Sequence, residues 1–584
     1  MRLSHQIPAL PAAARRARRA GTVIAPHDVA VEAGERMFAL GGNAIDAAIA
    51  AALVSGVIEP AETTLAGSGF CLVGAEGSVT SVAFGPRAPR AARVDMFKID
   101  ERAGESNVLG LAPVVGNANI DGPLASGVPR TLLGLLTTHE RWGALDRDVV
   151  LGPSIDAALG GFRADSWFLL NALSDLDRLG RDPMAARTFL ENGLPRGRES
   201  QNYYGPSIDT ARLVPQTALA QTLQLVAEEG LSALTTGTVA RALVKTAQEQ
   251  GLLLSLEDLA LSAPQIGPAQ SIAFRDSVVH IPAAPGGGLT ELQILNIWQH
   301  LYPDDLPAYD NPDRLRMLTL AIRHAFADRY HWLGDPDVVD VPVEELLSET
   351  YAKDLAKLIR KDEVPVAFRD GTTPWSYFAS RPLHLPRGGD APSPWMPAGA
   401  STPTSGTTHI SAADADGHFV SVTHTAANHF GSGIVCPRTG LLFDSAMAWF
   451  NARPGAANSI RPGARALANM GPVMLTRGGK PWAAIGASGG RRIISAVAQV
   501  VIGLVDFDMS PLTVLQQPRI DASGPVTVVH EHLADAMGAL ADLVPTIVPA
   551  GNDGFALDFG RANLVAMLPD GSLESAIDPN AYSR

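Results

Sequence analysis

Gly406-Thr407-Thr408-His409-Ile410-Ser411-Ala412-Ala413-Asp414-Ala415-Asp416-Gly417-His418-Phe419-Val420-Ser421-Val422-Thr423-His424-Thr425 reads as two strands around a tight loop. If Ala415-Asp416-Gly417 is a three-residue loop with Gly417 at positive φ, Ile410 faces Val422 and Ala412 faces Val420, which makes one apolar face. Thr407, His409, Ser411, Ser421, Thr423 and Thr425 then share the other face, and Thr425 stands opposite Thr407. A slip of one residue would pair apolar with polar side chains, so the register has a physical cause.

The stretch before this hairpin, 371–406, is crowded with proline (Pro374, Pro382, Pro386, Pro392, Pro394, Pro397 and Pro403) and sustains neither helix nor sheet ladder. It reads as an exposed linker, and cutting it at Gly406-Thr407 would make Thr407 a new N-terminus. An N-terminal threonine carries a hydroxyl nucleophile and its own α-amine, a base with an ordinary pKa of about 7.7–8.0, in one residue. Inside an uncut chain the amine is an amide and cannot serve. Gly406 suits self-cleavage by the Thr407 hydroxyl, because its backbone adopts approaches that a bulkier residue resists.

Working outward, 584 residues can bury a large core, and two sheets layered from one chain are within reach. The 46 basic residues are outnumbered by 60 acidic ones, for a net charge of −14, which argues against a nucleic-acid partner. Arg15-Arg16-Ala17-Arg18-Arg19 is not followed by the apolar core of a secretory signal, and Ala44 to Val57 falls short of a bilayer span, so a cytoplasmic protein without a membrane partner is expected. Cys71 and Cys436 read as small buried hydrophobes.

Asp28 to Leu40 reads as a helix, and Asn43 caps a second, alanine-rich one that reaches Glu59-Pro60. Strands follow at Gly69 to Val73 and Val79 to Phe84, the middle of the chain is mostly helical, and Trp482 to Ile485 leads through Gly486-Ala487-Ser488-Gly489-Gly490 into a helix from Arg492 to Val505. Strands early and late with helices between imply sheets assembled from both ends of the chain and covered by helices. The pair Gly489-Gly490, at a strand-to-helix turn, suits two backbone N–H groups aimed at an oxyanion. The same five residues also fit Gly-x-Ser-x-Gly, with Asp521 and His530 following in the order of an α/β-hydrolase. Neither His324 with His331 nor Gly286-Gly287-Gly288 has the spacing of a metal or phosphate site, so no metal is expected.

The Thr407 region and Phe430-Gly431-Ser432-Gly433-Ile434-Val435 resemble the small-subunit start of the γ-glutamyltransferase (glutathione hydrolase) family of N-terminal-nucleophile hydrolases. Ordered matches extend over nearly the whole chain, through Gly41-Gly42-Asn43-Ala44-Ile45-Asp46, Glu59-Pro60, Leu124 to Pro129, Leu292 to Asn296, Ala325 to Arg329, Gly334-Asp335-Pro336 and Gly486 to Gly490. The resemblance implies an αββα sandwich cut into a large subunit, 1–406, and a small one, 407–584, the two staying together; residues 1–24 are expected to be a flexible N-terminus of the large one. It implies Thr407 as nucleophile, Thr425 as its supporting hydroxyl, Gly489 and Gly490 as oxyanion donors, and no cofactor.

The departures from the family bear on the substrate. The arginine and the serine pair that hold the glutamyl α-carboxylate are replaced by Gly85 and by Ala468-Asn469, and the groups that hold its α-ammonium by Ala427, Ala446 and Trp449. Losing charged hydrogen bonds of about 1.5–3 kcal/mol each makes a glutamyl amino acid a poor fit. Arg87, Asn428, Trp449 and Asn469 remain as candidate substrate contacts, and the short segment from Asn451 to Arg465 suggests an open mouth. The expectation is an amidohydrolase or acylase that passes an acyl group from a small amide to water or an amine. The rival readings are γ-glutamyl transfer through rearranged contacts and an uncleaved, inactive scaffold.

Overall fold

The computed structural model describes residues 15–17, 21–75, 77–100, 111, 113–202, 205–208, 213–362, 406–524, 526–541, 546–547 and 559–579. The linker expected before Thr407 lies outside the described residues except for Gly406. In chain order the strands that matter here are β1 (Arg15–Ala17), β2 (Thr22–Ile24), β3 (Ser68–Ala75), β4 (Ser78–Phe84), β5 (Gln265–Pro268), β6 (Gln270–Phe274) and β7 (Ser277–Ile281). They continue as β8 (Thr408–Ala413), β9 (Phe419–Thr425), β10 (Val473–Arg477), β11 (Lys480–Ser488), β12 (Arg561–Met567) and β13 (Leu573–Ile577). One sheet runs β5-β4-β3-β9-β8-β2 and the other β1-β13-β12-β11-β10-β7-β6, with every neighbouring pair antiparallel.

Helices cover both outer faces. Beside the first sheet lie α1 (Asp28–Ala39), α2 (Ala44–Ile58), α3 (Thr131–Trp142), α4 (Arg147–Gly160) and α5 (Thr217–Glu229), which share one apolar core with Cys71, Val73, Ile410, Ala412, Val420 and Val422. Beside the second lie α6 (Gly288–Leu301), α7 (Pro312–Trp332), α8 (Glu349–Ile359) and α9 (Arg492–Val505), packed on Val279, Leu475, Ile485 and Leu564. A third cluster, including Leu72, Phe419, Met474, Ala484 and Val565, fills the space between the sheets. This is the αββα sandwich. No helix among the described residues is long and apolar enough to cross a membrane.

α2 is apolar on every side because it is buried on every side, and its start is held twice. Asn43 and Asp46 form a capping box, and the Ala44 N–H donates to Asp414 Oδ2 at the hairpin tip, 2.9 Å away. The hairpin has the register read from its sequence: Ile410 pairs with Val422, Ala412 with Val420, and Gly417 takes φ 89°. Its apolar face meets the helices. Its polar face meets the second sheet, where Ser421 Oγ donates to Ile485 O at 2.8 Å and Asn563 Nδ2 donates to His409 O at 2.7 Å. Gly486 is bare beneath the His409 ring, where a Cβ would come within 2.3 Å of it.

One reading is corrected and another is filled in. The N-terminus is not flexible throughout 1–24: β2 pairs with β8, Val23 is buried, and Thr22 Oγ1 donates to Ser575 Oγ of the other sheet at 3.1 Å. Three residues are too short a run to show strand alternation, so only the sheet edge that they complete reveals them. The middle of the chain also contributes β5, β6 and β7, which close one edge of each sheet.

Candidate active site

The chain passes Gly406 through a gap that admits no side chain. A Cβ there would lie 2.2 Å from Ala61 O and 2.7 Å from Glu62 Cα. Beyond it Thr407 is fully buried at the head of β8, facing the end of β9. Thr407 Oγ1 donates to Gly406 O at 2.6 Å and Thr425 Oγ1 donates to the same oxygen at 2.5 Å, with the two hydroxyl oxygens 3.3 Å apart. Thr425 Oγ1 also accepts the Ala427 N–H at 2.8 Å. Ala427 holds φ 73°, a left-handed conformation that a residue with a Cβ seldom takes, and this turns its N–H back onto Thr425. Two hydroxyls therefore converge on the carbonyl of the Gly406-Thr407 bond.

The nitrogen of that bond is also engaged. Thr407 N–H donates to Glu62 Oε2 at 2.9 Å, and Trp167 Nε1–H donates to Glu62 Oε1 at 2.7 Å. His429 Nε2 lies 3.8 Å from Glu62, but burial, with Arg178 and Arg561 nearby, pushes His429 down to about 3, so it is neutral near pH 7. Arg178 fixes the 429–431 loop by donating to Gly431 O at 2.6 Å and to His429 O. The sequence reading singled out Glu59-Pro60 and passed over Glu62 and Trp167. The available signal was an acid two residues after Pro60 and six positions ahead of a buried strand.

Gly489 and Gly490 take φ 122° and 64° and form the turn from β11 into α9. β11 runs past Gly486, which faces His409, toward the end of the sandwich where Thr407 sits. Ser488 is the last residue of β11, paired with Arg561, rather than the apex of a nucleophile elbow. Asp521 Oδ2 accepts from Ser523 Oγ at 2.9 Å, and His530 Nδ1 from His532 N at 3.2 Å.

Trp449 is buried in an apolar cluster with Phe70, Ala427, Ala446, Met447, Ala448, Phe450 and Ala468, and its indole N–H has no hydrogen-bond partner among the described residues. Asn428 Nδ2 donates to Ser445 Oγ at 3.0 Å, while its buried Oδ1 is unpartnered among the described residues. Asn469 Oδ1 accepts from Arg329 at 2.7 Å, and its Nδ2 is unpartnered in the same sense. Arg87 is turned to backbone, donating to Gly463 O and Leu261 O at 2.8 Å each. Asp444, beside this cluster, accepts the Gly127 N–H at 2.9 Å, and burial pushes its carboxyl up to about 7. Asp414, Asp416 and His418 form a grouping with metal-ligand spacing at the hairpin tip, where Asp414 already accepts from Ala44, Asp416 and His418.

The profile of the gamma-glutamyltranspeptidase family matches residues 30–581. A glutathione hydrolase proenzyme of Bacillus subtilis (strain 168) is 31% identical over 509 residues, covering 86% of this chain and 80% of its own. An acylase ACY 1 proenzyme of Pseudomonas sp. (strain SE83) is 29% identical, covering 95% of this chain and 91% of its own. Among solved structures, a cephalosporin acylase from Bacillus halodurans superposes with a TM-score of 0.78 at 24% identity, covering 97% of this chain and 95% of that one, a likeness of fold.

Proposed function

We propose, because this chain belongs to the gamma-glutamyltranspeptidase family of hydrolases and acyltransferases, that it cuts itself at Gly406-Thr407 and then acts as an amidase or acylase. The observation that carries this reading is the convergence of Thr407 and Thr425 on the Gly406 carbonyl. Thr407 Oγ attacks the Gly406 carbonyl carbon while Thr425 stabilises the developing oxyanion, and the Oγ proton passes to the Thr407 nitrogen as the C–N bond breaks. Water then hydrolyses the resulting ester, leaving a Gly406 carboxylate and a Thr407 with a free amine and hydroxyl. In turnover the amine takes the Oγ proton, Oγ attacks the substrate carbonyl, the Gly489 and Gly490 N–H groups receive the oxyanion, and the ammonium gives its proton to the substrate nitrogen as the amide C–N bond breaks and the amine leaves. Water or an amine resolves the acyl-enzyme, and 1–406 stays associated with 407–584 because both sheets draw strands from each segment.

The acyl specificity rests on the apolar wall. Ala427, Ala446, Trp449 and Ala468 share one packed cluster, which favours an acyl group without a zwitterionic end. The relatives' names include both glutathione hydrolase and acylase, so γ-glutamyl transfer is the second reading. A denaturing gel with N-terminal sequencing tests the common step. The purified chain is expected to give two bands, the smaller beginning at Thr407, and Thr407→Ala a single inactive band. An intact wild-type chain with amidase activity would sink the mechanism, and an intact inactive one would favour a scaffold.

A further inference from the structure

Glu62 has no part in the reaction just described, yet its carboxylate is what meets the nitrogen of Thr407. The side chain is fully buried, with one oxygen on the Thr407 N–H and the other on the Trp167 indole N–H. The nearby histidine, His429, is neutral near pH 7. Cleavage of Gly406-Thr407 changes the partner, because the nitrogen that Oε2 touches becomes a primary amine able to carry a proton.

We infer that Glu62 is the positioning residue of the mature nucleophile, holding the Thr407 α-nitrogen beside its own hydroxyl and supplying the counter-charge for the protonated amine. The inference rests on the cleavage proposed above. Other charged or titratable groups also face this point. Arg561 stacks over Trp167 at 5.2 Å and Arg178 holds the His429 carbonyl. Glu59 sits three residues before Glu62, pushed up to about 8 by burial, with Asp165 and its neighbour His27 further out. All of them remain in a Glu62 variant, so a difference between variants isolates the carboxylate.

The amine must be neutral to act as base, so the acid limb of kcat/KM against pH reports its ionisation in the free enzyme. An opposite charge in contact favours the protonated form by about 1–3 pH units. Glu62→Gln is therefore expected to move the acid limb at least about one unit toward lower pH, and Glu62→Asp to return it toward the wild-type position. An unmoved limb in a cleaved Glu62→Gln enzyme overturns the inference. Should Glu62→Gln and Glu62→Ser stay whole but keep the wild-type circular dichroism while Glu62→Asp splits, the carboxylate is still shown to act on this nitrogen. Neutral variants that do not fold, or three folded variants that all stay whole, make the residue structural and overturn it. A wild-type chain that never splits sinks the parent reading first, which the gel reveals before any kinetics.

Discussion

At the scale of single residues, the site is a problem of fitting a carbonyl between two hydroxyls. Gly406 is fixed by crowding, since Ala61 O and Glu62 Cα occupy the space of any side chain, and Thr425 is fixed by register. The sequence disclosed the second constraint and not the first, because pairing follows from alternation along one hairpin whereas crowding depends on a loop more than 300 positions away. Glu62 was hidden for the same reason. Thr425 Oγ1 bonds the Gly406 oxygen directly, so removing it would take away one oxyanion donor from the proposed self-cleavage step. Thr425→Ala is expected to split about 10²–10³ times more slowly than wild type and to lose turnover on a similar scale, followed by timed gels and steady-state rates. Cleavage and activity at wild-type rates in that variant would show that the hydroxyl has neither role.

At the scale of elements, α2 and the hairpin are a single unit. Asp46 accepts from Asn43 N at 2.8 Å and from the Ala144 and Leu145 N–H groups after α3, and His139 Nε2 lies 3.1 Å from its Oδ1. Burial alone would raise the Asp46 pKa, but the hydrogen bonds from His139, Ala144, Asn43 and Leu145 outweigh it and the net direction is down. A depressed carboxylate contributes stability that is fully present above its unfolded pKa of about 4 and is lost as pH falls through the folded value. Asp46→Asn is thus expected to destabilise the fold at pH 7 by about 1.5–3 kcal/mol of lost charged hydrogen bonding, seen as a lower thermal midpoint, and to narrow the gap from wild type below about pH 4. Melting curves at pH 7 and pH 3.5 measure this, and equal midpoints at pH 7 would mean that the capping box carries no net stability. The cap itself was readable from Asn43 ahead of an alanine run. Its second job, anchoring the chain after α3, was not, because those donors are backbone N–H groups with no sequence signature.

At the scale of the whole molecule, the two sheets were legible as early and late strands around a helical middle, while β2 and the strands from 265 to 281 were not, being short edge elements recognisable only beside a neighbour. The substrate question also belongs here, because the apolar cluster proposed to meet the donor is built from distant parts of the chain: Phe70 from β3, Ala427 after β9, Trp449 from a short 3₁₀ turn, and Ala468 before β10. Two arginines near this wall, Arg87 and Arg329, donate to backbone carbonyls at Leu261, Gly463, Gly286 and Ala468. A γ-glutamyl donor would have to place an ammonium and a carboxylate against this surface, whereas a glutaryl or simple acyl donor brings one charge or none. The ratio of kcat/KM between a γ-glutamyl anilide and the matching glutaryl or aliphatic anilide reads the difference in transition-state binding directly, independent of how much enzyme has matured. The acyl anilide is expected to win by at least about tenfold, or about 1.4 kcal/mol. A preference for the γ-glutamyl compound would mean that buried polar atoms such as Asn428 Oδ1, Asn469 Nδ2 and the Asp444 carboxyl bind its charged end, and glutathione hydrolysis would become the better reading.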